Sequence, residues 1–193
     1  LNTQNSGILY AGEHSYYYFN SDYVTTIDTA VRNLTGAGCR TYLRFLISGD
    51  ANGLSFVSYT ESGEKVTSKG VFVKTQDALL TVYALTDFLS ARYKDDAVGR
   101  ISGLILGQNV NRATLYNRTD AKTLAEDAAL YAATFSLIFG VASRNVPGLT
   151  MVLPLSDNRV GKTLETAEMT GDYPADLYLY SFMEALKDTY LEP

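Results

Sequence analysis

Two aspartates and four side-chain amides stand where the chain leaves its apolar runs. Arg40 to Ile47 ends in Ser48-Gly49-Asp50, Ile101 to Leu106 in Gly107-Gln108-Asn109-Val110-Asn111, and Leu149 to Leu155 in Ser156-Asp157-Asn158. Paired carboxylates can perform general acid and base chemistry when one is held protonated and the other ionised. If the three runs are neighbouring parallel strands with the second in the middle, Asp50 and Asp157 stand roughly 10 Å apart, two inter-strand spacings. That is near the upper end of the separation in carboxylate pairs that hold a water between them. Gln108, Asn109, Asn111 and Asn158 add groups that donate and accept hydrogen bonds, which suits a ligand rich in hydroxyls. The alternative is that each Asp and Asn caps the turn or helix that follows it.

Parallel strands must position these residues, because helical patterns separate the runs. Val24, Ile27, Val31 and Leu34 recur at helical spacing after the cap Asn20-Ser21-Asp22, and Gly36-Ala37-Gly38 ends that helix. Gln76 to Tyr93 reads as a second helix, capped by Thr75 and burying Leu79, Val82, Tyr83 and Leu89. Thr119-Asp120 caps a third, apolar through Leu124, Tyr131, Phe135, Ile138 and Phe139 and ended by Asn145 to Gly148. Pro174 suits the first turn of a last helix, with Leu179, Met183, Leu186 and Tyr190 on its inner face. Residues 51–73 and 159–172 read as loops. Ahead of all this, Gly7 to Phe19 carries two aromatic and β-branched runs about Gly12-Glu13, the pattern of a β-hairpin. The fold class is therefore α/β, alternating helices and parallel strands in one domain over residues 1–193, with an N-terminal β-hairpin.

Composition removes several classes of function. A net charge of −5 without any run of Lys and Arg argues against nucleic acid as a partner. No apolar run approaches the ~20 residues of a membrane span. Leu130 to Val141 comes nearest and reads as a buried helix. One cysteine, Cys39, and one histidine, His14, leave no disulfide framework and no metal site. Cys39 precedes a strand and reads as a buried apolar thiol. Neither a dinucleotide fingerprint nor a phosphate-binding loop is present, since Gly161-Lys162-Thr163 lacks the upstream glycine, so no cofactor is expected. Fifteen tyrosines against no tryptophan fit either sugar or peptide sites or the sealing of helix–sheet interfaces. Without an initiator Met or a signal-peptide pattern, the chain reads as processed or as part of a larger protein.

Leu106-Gly107-Gln108-Asn109-Val110-Asn111 resembles the end of the fourth strand in (β/α)8-barrel glycoside hydrolases of the large retaining clan. There an apolar strand, a glycine, Asn-Glu, an apolar residue and Asn follow in order, and the Glu is the acid/base. Tyr16-Tyr17-Tyr18-Phe19-Asn20, with Asp22-Tyr23-Val24 and Ile27-Asp28 behind it, is similar to the aromatic hairpin and helix entry of a bacterial branch related to these enzymes, of unassigned activity. Val31 to Gly38 with the strand from Thr41 to Ile47, and Tyr131 to Arg144 with Pro147 and the strand to Leu155, resemble further helix–strand units of that branch.

The resemblance implies a partial (β/α)8 (TIM) barrel, the N-terminal portion of a larger one, with further strands supplied by the same protein. It implies a carbohydrate ligand, contacted by Asn109, Gln108, Asn111, Tyr18, Asn20 and Asn158, and a secreted or cell-surface location. Asn109 occupies the acid/base position. An amide has no titratable proton for general acid catalysis, so turnover would need Asp157 and Asp50 or carboxylates elsewhere. Two alternatives stay open: a non-catalytic carbohydrate-recognition pseudoenzyme, and an assembly domain whose exposed sheet edges demand partners.

Overall fold

The computed structural model describes residues 7–12, 15–46, 58–59, 65–66, 76–112, 121, 123–157 and 164–191. Strands β1 (Gly7–Ala11) and β2 (Tyr16–Asn20) form the expected antiparallel hairpin, with Leu9 opposite Tyr18. The two-residue alternation turns Tyr10 and Phe19 inward and leaves Leu9, Tyr16 and Tyr18 exposed. Helix α1 (Ser21–Gly36) starts where the Asn20 side chain accepts a hydrogen bond from Tyr23 N at 2.9 Å. It ends as Gly38 turns left-handed (φ 73°) and Cys39 N returns to Leu34 O at 2.9 Å.

Strand β3 (Tyr42–Phe45) follows, then the short antiparallel pair β4 (Ser58–Tyr59) and β5 (Lys65–Val66) inside the long connection. Helix α2 (Gln76–Arg92) leads through a small hairpin, β6 (Lys94–Asp95) and β7 (Gly99–Arg100), to β8 (Gly103–Leu106). Helix α3 (Leu124–Asn145), β9 (Thr150–Val152), α4 (Leu164–Thr170) and α5 (Ala175–Leu191) complete the order.

The main sheet is parallel, in the order β3-β8-β9, with Leu43, Leu104 and Met151 in register. The strand order follows the chain order. Right-handed crossovers in such an order place successive helices on the same face. Phe45, Leu104 and Leu106 point to that face and join the core beneath α2 and α3. The opposite face carries Tyr42, Arg44, Ile105 and Val152, and Leu46, just past β3, is 55% exposed. Among the described residues, the helices α2 and α3 cover this strand on one face.

Helix α3 is 22 residues long and, by length and composition alone, could cross a membrane, contrary to the expectation that no segment approaches that size. It is packed as a core helix here, burying Leu124, Ala128, Tyr131, Ala132 and Ile138. Its cap is Thr123, in a capping box with Glu126. Thr119 and Asp120, expected to cap it, lie outside the described residues.

Other expectations need correction. The loop expected over 159–172 contains the helix α4. Helix α5 faces the core through Tyr178, Phe182, Ala185 and Leu186, while Leu179 and Met183 are 44% and 48% exposed. The helix is rotated by one residue, about 100°, because Phe182 packs edge-on against Tyr131 and Phe135 at 5.6 and 5.2 Å. Leu34 and Leu79 are exposed although placed on inner faces, and Cys39 is exposed rather than buried. Cys39 directly follows the left-handed Gly38 that stops α1, so it sits in the connection at the sheet's end and misses the core.

Candidate functional site

The central strand ends in a turn fixed from both sides. Gly107, left-handed at φ 77°, donates its N–H to Phe45 O of the neighbouring strand at 2.9 Å. Val110, fully buried, donates to Pro154 O beyond the other neighbour at 2.9 Å. Beneath them, the buried Tyr131 hydroxyl donates to Leu106 O at 2.7 Å. Burial alone pushes the Tyr131 pKa well above the ordinary phenol range, so this donor stays protonated.

Between those anchors, Asn109 adopts φ 44° and its carbonyl accepts from Arg112 N at 2.8 Å. Among described residues it is the single non-glycine with positive φ. Asn enters the left-handed region more readily than other residues with a Cβ, because its short polar side chain can bond locally. The residue type at the position of the expected acid therefore has a backbone reason.

Asn111 is fully buried, and its amide is consumed inside the fold. Nδ2 donates to Tyr173 O at 2.9 Å and Ser156 O at 3.1 Å, and Oδ1 accepts from Ser156 N at 2.8 Å. The Asn111 carbonyl accepts from Tyr173 N at 2.8 Å, and Arg112 pairs with Asp172 at 3.2 Å. Asn111 was expected to contact ligand. Its observed role is to tie the ends of two strands to the start of the last helix, because a buried amide must satisfy each of its own polar atoms.

Gln108 and Asn109 differ from it. Both are half-buried, and neither side-chain amide has a hydrogen-bond partner among the described residues. They stand beside Ser156 and the exposed Asp157 across the same end of the sheet. Asp50 and Asn158 lie outside the described residues. Tyr18 and Asn20 are not brought to this place. The hairpin that carries them rests on the C-terminal half of α2, where Phe19 stacks on Phe88 at 4.2 Å and the Tyr10 hydroxyl bonds Asp87. Directly after that half of α2, the Tyr93 carbonyl accepts from Ile101 N ahead of β8, at the end of the strand away from Gln108. Tyr18 stays exposed, and the Asn20 side chain is used as the α1 cap.

The structure adds residues that the sequence did not single out. Asp127 on the first turn of α3 is buried, with Tyr178 and Tyr173 close by. Burial, and then the negative charges of Asp127, Glu168 and Glu126, push the Tyr173 phenol up to about 12. Tyr173 is also the residue whose backbone closes on Asn111, so this acidic cluster about the buried Asp127 backs the strand-end turn. The Thr123-to-Glu126 spacing, a capping-box signature, was the signal that would have placed Asp127 at a helix start. Among the described residues no group of three or more His, Cys, Asp and Glu could hold a metal ion.

Residues 1–155 match the family model described as "Family of unknown function (DUF5722)", and the chain belongs to that family. Neither a curated protein nor a solved structure matches the chain with significance.

Proposed function

We propose that this DUF5722 chain is the carbohydrate-binding part of a glycoside-hydrolase-like (β/α)8 barrel. The reading is carried by one observation: two half-buried amides, Gln108 and Asn109, have no partner among the described residues and project from a rigid turn at the C-terminal end of the central parallel strand. That is where barrels of this architecture build their sites. A barrel is supported by strands that follow chain order with helices on one face. It is supported too by the open face of Tyr42, Arg44 and Leu46, which further strands of the same protein would cover.

Asn109 holds the acid/base position and brings hydrogen bonds in place of a proton. Gln108 and Asn109 each offer a carbonyl and an NH2 to adjacent sugar hydroxyls. Asp157, with Asp50, is the carboxylate pair through which hydrolysis would proceed, and a secreted or cell-surface location goes with this reading. Binding of the purified chain to a glycan array tests it. Asn109→Ala and Gln108→Ala are each expected to weaken the best-bound glycan by at least tenfold. Unchanged binding in both variants would overturn the assignment. Hydrolysis of that glycan, abolished by Asp157→Asn, separates an enzyme from a recognition module that binds without turnover.

The open sheet face favours a second reading, an assembly domain. Parallel sheets are ordinarily covered on both faces, and Tyr42 and Leu46 leave this one exposed. Sedimentation velocity would show association if that reading holds, and a monomer at high concentration would sink it.

A further inference from the structure

At the other end of the sheet, the three connections from helix to strand converge on two adjoining clefts of about 630 and 470 Å³. They share a wall of Arg40, Arg100 and Ser102. The larger adds Arg32 and Thr35, and the smaller adds Lys94. Four cations from separate parts of the chain thus line one groove, against one carboxylate, Asp96, among the described lining residues. Among the described residues none of the four forms an ion pair, although Arg32 also feels Asp28. The concentration of positive charge stands out in a chain of net charge −5.

All four are exposed, and like charges lining one groove repel one another, a repulsion that an anion relieves. Volumes of this size suit a small ligand. We infer that this groove binds a small phosphate-bearing molecule, with Arg40 and Arg100 at the centre and Arg32 and Lys94 on either side. Four positive charges against one negative call for at least two negative charges on the ligand. A phosphate group carries up to two charges in one compact head and matches the guanidinium fork, whereas a carboxylate carries one. The site is independent of the carbohydrate reading, because it lies at the N-terminal ends of the strands, opposite Gln108 and Asn109.

Titration calorimetry with inorganic pyrophosphate tests the inference, with citrate as a polycarboxylate comparison. Pyrophosphate is expected to bind, and Arg40→Ala and Arg100→Ala are each expected to weaken it at least tenfold. Lys187→Gln, which removes one positive charge on α5, is expected to leave the affinity unchanged. The exposed Cys39 lines the larger cleft and supplies a second measurement: pyrophosphate is expected to slow its reaction with a thiol reagent. Absence of pyrophosphate binding, affinity unaltered in both arginine variants, or tighter binding of citrate would each overturn the proposal.

Discussion

Asn111 and Ser156, 45 residues apart, exchange hydrogen bonds in both directions: the Asn111 amide donates to Ser156 O at 3.1 Å and accepts from Ser156 N at 2.8 Å. A side-chain amide here does the work of one more strand residue, extending the pairing of β8 and β9 past the point where the ladder stops. Asn111→Ala would leave the Ser156 N–H and two carbonyls without these partners. Each unsatisfied buried group costs on the order of 1–3 kcal/mol, so the variant is expected to lose about 3 kcal/mol in urea unfolding. A loss below about 0.5 kcal/mol, the level of an unremarkable surface change, would refute the tie.

The left-handed backbone of Asn109 separates its two roles. Asn109→Gly keeps the backbone relaxed and removes the amide, so stability should stay within about 0.5 kcal/mol while glycan binding falls. Asn109→Val forces a β-branched residue to φ 44° and is expected to cost about 2 kcal/mol. Asn109→Glu carries a similar but smaller strain, so a gain of hydrolysis in that variant must be read against its unfolding curve. If the Gly and Val variants are equally stable, the backbone argument fails.

The hairpin, the parallel strands and their order were legible because continuous apolar runs alternate with helical periods, and those patterns dictate burial directly. The α5 face was not. Tyr178 and Leu179 are both apolar, as are Phe182 and Met183, so the periodicity allows two faces one residue apart. The aromatic contact with Tyr131 and Phe135 decides between them. At the strand end, Gln108 and Asn109 were identifiable as candidate contacts. Asn111 could not be told from them, since three amides in one turn look alike. The difference is made by Tyr173, 62 residues away, whose carbonyl takes up the Asn111 amide. The distance of Tyr18 and Asn20 from this turn was illegible for the same reason: nothing local says that the hairpin docks on α2.

Asp28 of α1 is bound by Arg92 through two hydrogen bonds, 2.7 and 2.6 Å, and by the Tyr93 hydroxyl at 2.8 Å. The Arg92 hydrogen bonds hold its carboxyl below the ordinary range, outweighing the opposing effect of burial. The folded-state pKa thus lies below the unfolded value of about 3.9. The resulting stabilisation is complete above that pH and is lost as pH falls through the folded value. Asp28→Asn is expected to lower stability at pH 7 by about 3 kcal/mol, as when one partner of a largely buried pair is removed. The gap to the wild type should narrow below pH 4. Equal pH profiles for the two proteins, measured by urea unfolding from pH 2.5 to 7, would contradict the assignment.

Two glycines give opposite expectations. A Cβ on Gly103 would come within 2.3 Å of Thr150 O and 2.6 Å of the Tyr42 ring. The Thr150 oxygen is backbone of a paired strand and cannot withdraw without breaking the β8–β9 ladder. Gly103→Ala is therefore expected to cost about 3 kcal/mol or more. Gly140 lies inside α3, and a Cβ there meets nothing within 4 Å. Gly140→Ala relieves the unfolded chain of conformational freedom at no steric cost, and should stabilise by about 1 kcal/mol. Thermal unfolding of the pair reads both effects on one scale, as a fall in Tm for the first and a rise of a few degrees for the second. A Gly103→Ala protein as stable as the parent would mean that the three strands are not packed in the register described.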